Sequence, residues 1–146
     1  IRGRAKVFRL DSVDGTDEDL VSVIMPFDRR FNDVYGALAS AAAQCDMQCL
    51  RADNIWDHDT VIQDIVSLIN RSHIVVCDCT GRNPNVFYEV GIAHCLGKEV
   101  ILISQQEADV PFDLRHLRYL RYLENSEGRA CLTEQVAARI RTLQAA

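Results

Sequence analysis

The chain has 146 residues, of which 48% are hydrophobic and 25% charged, and its formal net charge is −5. This length fits one ordinary domain, and the composition excludes a disordered tail or a fibrous repeat. The negative charge argues against a nucleic-acid partner, because domains that bind the phosphate backbone concentrate Lys and Arg, and no apolar run approaches the ~20 residues that cross a membrane.

The N-terminal part of the chain carries no clear element. A basic start runs into an acidic stretch over residues 1–20, which predicts a linker or an edge element. The first residue is not Met and no signal-peptide pattern follows it, so we expect a domain of a longer protein with a fused partner domain. Residues 21–146 are expected to form a single domain.

Strands and helices alternate along residues 21–146. In chain order the patterns predict a strand at Val21–Met25, a helix over Arg29–Gln44, a strand at Met47–Leu50, a helix from a cap at Asp59 or Thr60 through Ile69, a strand at His73–Cys77, a helix over Val86–Leu96 with Gly97 at its C′ position, strands at Glu99–Ser104 and Tyr119–Leu123, and a helix over Cys131–Leu143. Strands alternating with helices require right-handed crossovers and a parallel sheet covered on both faces. We therefore predict an α/β fold, a flavodoxin-like three-layer sandwich of about five mostly parallel strands in the order 2-1-3-4-5.

Polar residues cluster where the first and third strands end. In such folds ligands bind at the carboxyl ends of the strands, where the strand order reverses between strands 1 and 3. The segment after strand 3 enters a helix, whose free backbone N–H groups would favour a phosphate or another anion. The predicted binding residues are Pro26, Phe27, Asp28, Thr80, Gly81, Arg82, Asn83, Asn85 and Tyr88.

Glu89 is the first candidate for chemistry. If Val86 and Val90 face the sheet, the Glu89 carboxylate lies on an adjoining flank against Phe87 or Tyr88. Partial desolvation there would perturb its pKa and suit nucleophilic or acid–base work. The alternative is a favourable acidic residue near a helix N-terminus, worth about 0.3–1 kcal/mol.

Asp78 is the second candidate, at the end of a buried strand. A carboxylate there is costly unless it is paired, so we expect it to bind a ribose hydroxyl, a base or Arg82. An Asx turn or a helix N-cap is the alternative.

Gly91 has two interpretations, a close backbone approach and tight helix–strand packing. Trp56 has two as well, a base-stacking ring and a packing anchor.

The six cysteines raise the question of a disulfide scaffold. Cys77 and Cys79 lie in a strand-like run, and Cys45, Cys95 and Cys131 fall on apolar faces of expected helices. We interpret them as small buried hydrophobic side chains in a reducing, cytoplasmic compartment. Metal-ligand spacing is missing from the sequence, so no metal is expected.

The run TGRNPNVFYEVGIAHCLGK, residues 80–98, resembles the nucleoside 2-deoxyribosyltransferase-like superfamily and its TIR-like bacterial relatives. The catalytic helix of that family carries E-x-G-x-A-x-x-x-G-K, which corresponds here to Glu89, Gly91, Ala93, Gly97 and Lys98. The resemblance implies a flavodoxin-like fold, a nucleoside or nucleotide ligand, Glu89 as the nucleophile at C1′ of the sugar, and Asp78 as a second catalytic residue. It also implies a homo-oligomer, a signalling or defence role, and NAD as a candidate substrate, with no cofactor.

The sequence departs from the family pattern at Asn83, six residues before Glu89, where the transferases carry an acid. An amide cannot protonate a leaving base as a carboxylic acid can. Three functions therefore stay open: cleavage or transfer at an N-glycosidic bond, nucleotide sensing without catalysis, and self-assembly of the TIR-like kind.

Overall fold

A computed structural model describes residues 7–10, 15–52, 61–114 and 116–146. The strands are β1 (Asp17–Ile24), β2 (Gln48–Arg51), β3 (Ser72–Asp78), β4 (Glu99–Ser104) and β5 (Tyr119–Arg121). The α-helices are α1 (Asn32–Gln44), α2 (Val61–Arg71), α3 (Pro84–Cys95) and α4 (Ser126–Gln144).

The five strands form one sheet in the order β2-β1-β3-β4-β5, and every neighbouring pair is parallel. This is the flavodoxin-like order that the sequence predicted, so the fold class is confirmed. Parallel neighbours cannot be joined by a hairpin, and α1, α2 and α3 provide the crossovers between the first four strands.

The side chains of β3 alternate between two apolar cores, one on each face of the sheet. Ile74 and Val76 pack into the core under α1 and α4, whereas Val75 and Cys77 pack into the core under α2 and α3. All four side chains are 0% exposed. Burial on both faces explains why this strand is a continuous apolar run in the sequence.

The N-terminal ends of β1 and α4 differ most from the prediction. β1 begins at Asp17, so the end of the segment expected to be a linker or an edge element, residues 1–20, belongs to a strand inside the sheet. Asp17 pairs with Ser72 across a register shift. α4 begins at Ser126, five residues before the predicted start, because the Asn125 side chain caps it by accepting a hydrogen bond from the Gly128 N–H at 2.7 Å.

Smaller differences from the prediction occur at the start of the first helix, in the length of β5 and at the end of α3. The helix expected from Arg29 opens with a 3-10 turn, Arg29–Phe31, which Asp28 caps. β5 is shorter than predicted, and α3 ends at Cys95, one residue before the predicted end. Gly97 lies at the C′ position as predicted, in the left-handed conformation (φ 73°), and the Lys98 N–H donates to the Ala93 carbonyl. The cap predicted at Asp59 or Thr60 lies outside the described residues.

The cysteines are all free thiols. Cys45, Cys77 and Cys79 are buried as expected, but Cys95 and Cys131 are exposed, so the prediction that these two face the core is wrong. The core-facing positions are instead Ala93, two residues before Cys95 in α3, and Leu132, one residue after Cys131 in α4.

Candidate functional site

Two adjoining clefts open at the carboxyl ends of β1 and β3. The larger, of about 710 Å³, holds the charged and polar side chains of Asp28, Arg30, Thr80, Arg82, Gln105 and Glu124, and we call it the polar cleft. The second, of about 480 Å³, is walled by Met25, Val61, Ile62, Ile65 and Val86 around Glu89, and we call it the apolar cleft. Pro26, Phe27 and Asn83 line both, so the two clefts are halves of one crevice.

Most of the predicted site residues meet in this crevice. Those that line it are Pro26, Phe27, Asp28, Thr80, Gly81, Arg82, Asn83, Asn85 and Glu89. Tyr88 is 52% exposed and lines neither cleft. Asp78 also lines neither cleft, because its side chain is 0% exposed beneath the floor.

Glu89 places a carboxylate against apolar walls. α3 turns Val86 and Val90 into the core, which leaves Glu89 half-buried on the flank that faces the apolar cleft. Burial raises the pKa of Glu89 to about 7. Near neutral pH both the ionised and the neutral form are therefore populated, a condition that suits a nucleophile or a proton carrier.

The N-terminus of α3 is closed by the protein itself. The Asn83 side-chain oxygen accepts hydrogen bonds from the N–H groups of Asn85 (2.9 Å) and Val86 (3.4 Å), and the Phe87 N–H donates to the Asn83 carbonyl. Pro84 has no N–H to offer. The prediction of free N–H groups for a phosphate is therefore wrong, and what remains at this end is the positive pole of the helix dipole.

The turn after β3 is joined to the turn after β4. Gly81 and Arg82 both have positive φ, 81° and 54°, and this left-handed pair sends Arg82 towards the 3-10 turn Glu107–Asp109. The Arg82 guanidinium donates to the Ala108 carbonyl. The predicted pair between Asp78 and Arg82 is therefore wrong, because the turn carries Arg82 away from the strand end.

Asp78 is held by other groups. One carboxylate oxygen accepts the Thr80 N–H at 2.9 Å and the other accepts the Tyr122 hydroxyl at 2.5 Å. Burial raises the pKa of Asp78, and hydrogen bonds from Thr80 and Tyr122 oppose that rise. The bond to Thr80 two residues ahead is the Asx-turn arrangement that was the alternative interpretation of this residue.

The polar cleft carries the guanidinium groups of Arg30 and Arg82 and the carboxylates of Asp28 and Glu124. Both carboxylates already have a cationic partner within the protein. Asp28 bonds to Arg30, whose backbone N–H and guanidinium lower the pKa of the Asp28 carboxyl. Glu124 forms an ion pair with Arg129 at 2.7 Å. The side chains of Arg30 and Arg82 remain 82% and 64% exposed, so both guanidinium groups can receive an anion from solvent.

Sequence reasoning missed Gln105 and Tyr122. Gln105 follows β4 and Tyr122 follows β5, so the same rule on strand ends that located the crevice would have pointed to both. Gly91 is exposed, and a Cβ added there would have no heavy atom within 4 Å, so the interpretation as tight helix–strand packing is wrong, and close backbone approach stays a prediction. The alternatives for Trp56 concern a residue outside the described part of the chain.

The fold and crevice define the class of protein: a parallel α/β sheet of flavodoxin-like order with an open crevice where the strand order reverses. Comparison of the chain with models of known protein families and with curated proteins found no match. Within the described residues, no cluster of three His, Cys, Asp or Glu side chains could hold a metal ion. The helices described are too short or too polar to span a membrane.

Proposed function

We propose that this chain cleaves the N-glycosidic bond of a nucleotide, with Glu89 as the nucleophile. The observation that carries the proposal is the half-buried Glu89 carboxyl, whose pKa burial raises to about 7, in an apolar cleft that continues into a cleft with two exposed guanidinium groups. The arrangement offers a nucleophile beside a site for phosphate.

The proposed reaction has two steps. A carboxylate oxygen of Glu89 attacks C1′ of the sugar, the C1′–N bond breaks, and its electron pair leaves with the base. Water then attacks C1′ of the glycosyl ester, the bond between C1′ and the Glu89 oxygen breaks with its electron pair returning to the carboxylate, and one water proton is released. The net change is addition of water across the C1′–N bond.

The lining of the crevice favours a base that leaves without being protonated. Asn83 is an amide, Asp28 has a lowered pKa, and Glu124 is ion-paired. Among the described lining residues, only Glu89 is suited to donate a proton near pH 7, and Glu89 is the nucleophile. A pyridinium base such as the nicotinamide of NAD departs as a neutral molecule once its C1′–N bond breaks, whereas a purine needs a proton. We therefore infer an N-glycoside of the NAD type.

The two clefts divide such a ligand by polarity. In this proposal the nicotinamide and its ribose occupy the apolar cleft with C1′ at Glu89, and the diphosphate occupies the polar cleft, which is lined by Arg30 and Arg82. Volumes of about 480 and 710 Å³ lie in the range of ordinary ligand sites.

The test is base release. The chain is incubated with NAD, with NADH, whose dihydronicotinamide is not a cation, and with neutral nucleosides, and free base is measured by chromatography. We expect release from NAD alone, loss of release in Glu89→Gln, and retention in the matched variant Glu134→Gln, an exposed carboxylate on α4. Release from neutral nucleosides would contradict the pyridinium preference, and equal release by Glu89→Gln would contradict the nucleophile.

A second function, nucleotide sensing without turnover, is favoured by one observation. The polar groups of the turn are engaged in structure, with Asn83 capping α3 and Arg82 bonded to Ala108. For a sensor we expect NAD to bind wild type and Glu89→Gln equally, with no base released from either. Self-assembly stays a prediction, and gel filtration with and without NAD tests it.

A further inference from the structure

A closed ring of hydrogen bonds joins the ends of three strands. The Tyr122 hydroxyl donates to Oδ2 of Asp78 (2.5 Å), and the Gln105 side-chain amide donates to the Tyr122 oxygen (3.1 Å). The Gln105 backbone N–H donates to the Thr80 hydroxyl oxygen (3.0 Å), and the Thr80 N–H donates to Oδ1 of Asp78 (2.9 Å). The ring thus runs through four residues at the carboxyl ends of β3, β4 and β5.

The direction of each bond follows from its donor. The two backbone N–H groups and the Gln105 side-chain NH2 can only donate, so the Tyr122 oxygen accepts from Gln105 and the single Tyr122 proton goes to Asp78. Both paths around the ring therefore donate towards Asp78. A buried carboxylate requires such donors, because an unsatisfied one is costly.

The ring has a buried half and a cleft-facing half. Asp78 and Tyr122 are 0% and 3% exposed, whereas Thr80 and Gln105 line the polar cleft. Tyr122 does not line the cleft. Its hydroxyl accepts a hydrogen bond from Gln105, which lines the cleft, and donates one to Asp78, which is the partner of the other lining residue, Thr80.

We propose that Tyr122 is a positioning residue for the polar cleft. Its hydroxyl holds the Asp78 carboxylate and the Gln105 amide, and through them it sets where Thr80 and Gln105 meet a ligand. Loss of that hydroxyl leaves Oδ2 without its donor, so the carboxylate must take up a proton, rotate or admit water, and each change disturbs its bond to Thr80. The ligand part rests on the proposed function, whereas the ring itself does not.

Tyr122→Phe keeps the buried aromatic ring and removes only the hydroxyl. In the ligand-free protein we follow hydrogen exchange at the Thr80 and Gln105 amides by NMR. We expect both amides to exchange about tenfold faster in the variant, because the loss of one hydrogen bond changes an opening equilibrium by about that factor. ADP serves as the ligand probe, and its affinity by calorimetry should fall by about tenfold. In turnover of NAD, KM should rise while kcat changes little.

Tyr35→Phe is the matched control, because Tyr35 donates to the Cys49 carbonyl on another part of the molecule. It should leave both amides and ADP affinity unchanged. If Tyr122→Phe folds poorly, Gln105→Met breaks the same ring at a partly exposed position and should speed exchange at Thr80.

If the Thr80 and Gln105 amides exchange in Tyr122→Phe at the wild-type rate, the hydrogen-bonded ring does not exist. If Tyr122→Phe binds ADP with unchanged affinity, or if the wild type does not bind ADP, the ring does not position the polar cleft. ADP binding without any turnover of NAD would overturn only the proposed function.

Discussion

The guanidinium of Arg82 lies 3.7 Å from the carboxylate of Asp109. The same carboxylate accepts the Gly81 N–H at 2.9 Å, so one acidic residue after β4 holds the turn that follows β3. Because these contacts occupy one side of Arg82 and leave its side chain 64% exposed, the residue both closes the turn and presents charge to the polar cleft. Its removal would mix two effects, which makes Arg30 the better residue for testing the charge.

Arg30→Ala should weaken binding of ADP several-fold and leave binding of a phosphate-free nucleoside nearly unchanged. The guanidinium is 82% exposed in the polar cleft, where its attraction for phosphate is screened by water and salt. Calorimetry at two salt concentrations measures both affinities, with Arg141→Ala on the exposed face of α4 as the control. An equal loss for ADP and nucleoside would place the phosphate elsewhere.

Glu89→Gln should stabilise the fold at alkaline pH. The pKa of Glu89 is about 7 in the folded chain against 4.5 for the free group, so the native state holds the proton more tightly and wild-type stability falls as pH rises from 4.5 through 7. Above pH 7 the variant should gain on the order of 1–3 kcal/mol in free energy of unfolding, and below pH 4.5 the gain should vanish. Urea unfolding at pH 4 and pH 8 measures this, and an equal gain at both would contradict the raised pKa.

The rate of the proposed cleavage should depend on the same ionisation. A nucleophilic Glu89 must be deprotonated, so kcat/KM for NAD should rise with pH and level off above about 7. Initial rates from pH 5 to 9, with ADP affinity followed in parallel, separate this ionisation from changes in binding. A rate that falls through pH 7 would instead assign Glu89 the role of a proton donor.

Gly128→Ala should destabilise the chain strongly. A Cβ at this buried position in α4 would lie 2.0 Å from the Leu123 carbonyl oxygen, a backbone atom that cannot move without shifting the chain after β5. We expect a loss of about 3 kcal/mol in free energy of unfolding. Gly36 lies in an exposed part of α1, where an added Cβ would meet no heavy atom of a packing neighbour within 4 Å. Gly36→Ala should therefore raise the free energy of unfolding by about 0.5–1 kcal/mol. Two changes of the same sign in thermal unfolding would refute the contact.

Two buried serines in neighbouring strands should respond in opposite directions to alanine. Ser22 in β1 is 0% exposed, and its hydroxyl finds no hydrogen-bond partner among the described residues. Ser72 in β3 is equally buried, but its hydroxyl donates to the Leu68 carbonyl at 2.6 Å. Ser22→Ala should leave stability unchanged or raise it by about 1 kcal/mol, and Ser72→Ala should lower it by about 1 kcal/mol, measured by urea unfolding. A loss at Ser22 would reveal a partner for its hydroxyl.

The fold could be predicted because its signals are local. The apolar run at the third strand, the helical spacing that follows it and the glycine at position 97 each depend on residues within a few positions of one another. Their alternation along the chain then leaves few topologies, since parallel crossovers are right-handed. The site of the crevice followed from the same topology, and Glu89 lies on its wall.

The partners of the site residues could not be predicted, because they depend on contacts between distant positions. Asp78 is bonded to Tyr122, 44 residues further along the chain, and Arg82 to Ala108, 26 residues away. The sequence by itself determined the layers, the strand order and the edge of the sheet that bears the crevice, through patterns of burial. Only the tertiary structure decided which polar groups satisfy one another, because a buried charge is stabilised by whichever donors the packing of separate strand ends brings within hydrogen-bond distance.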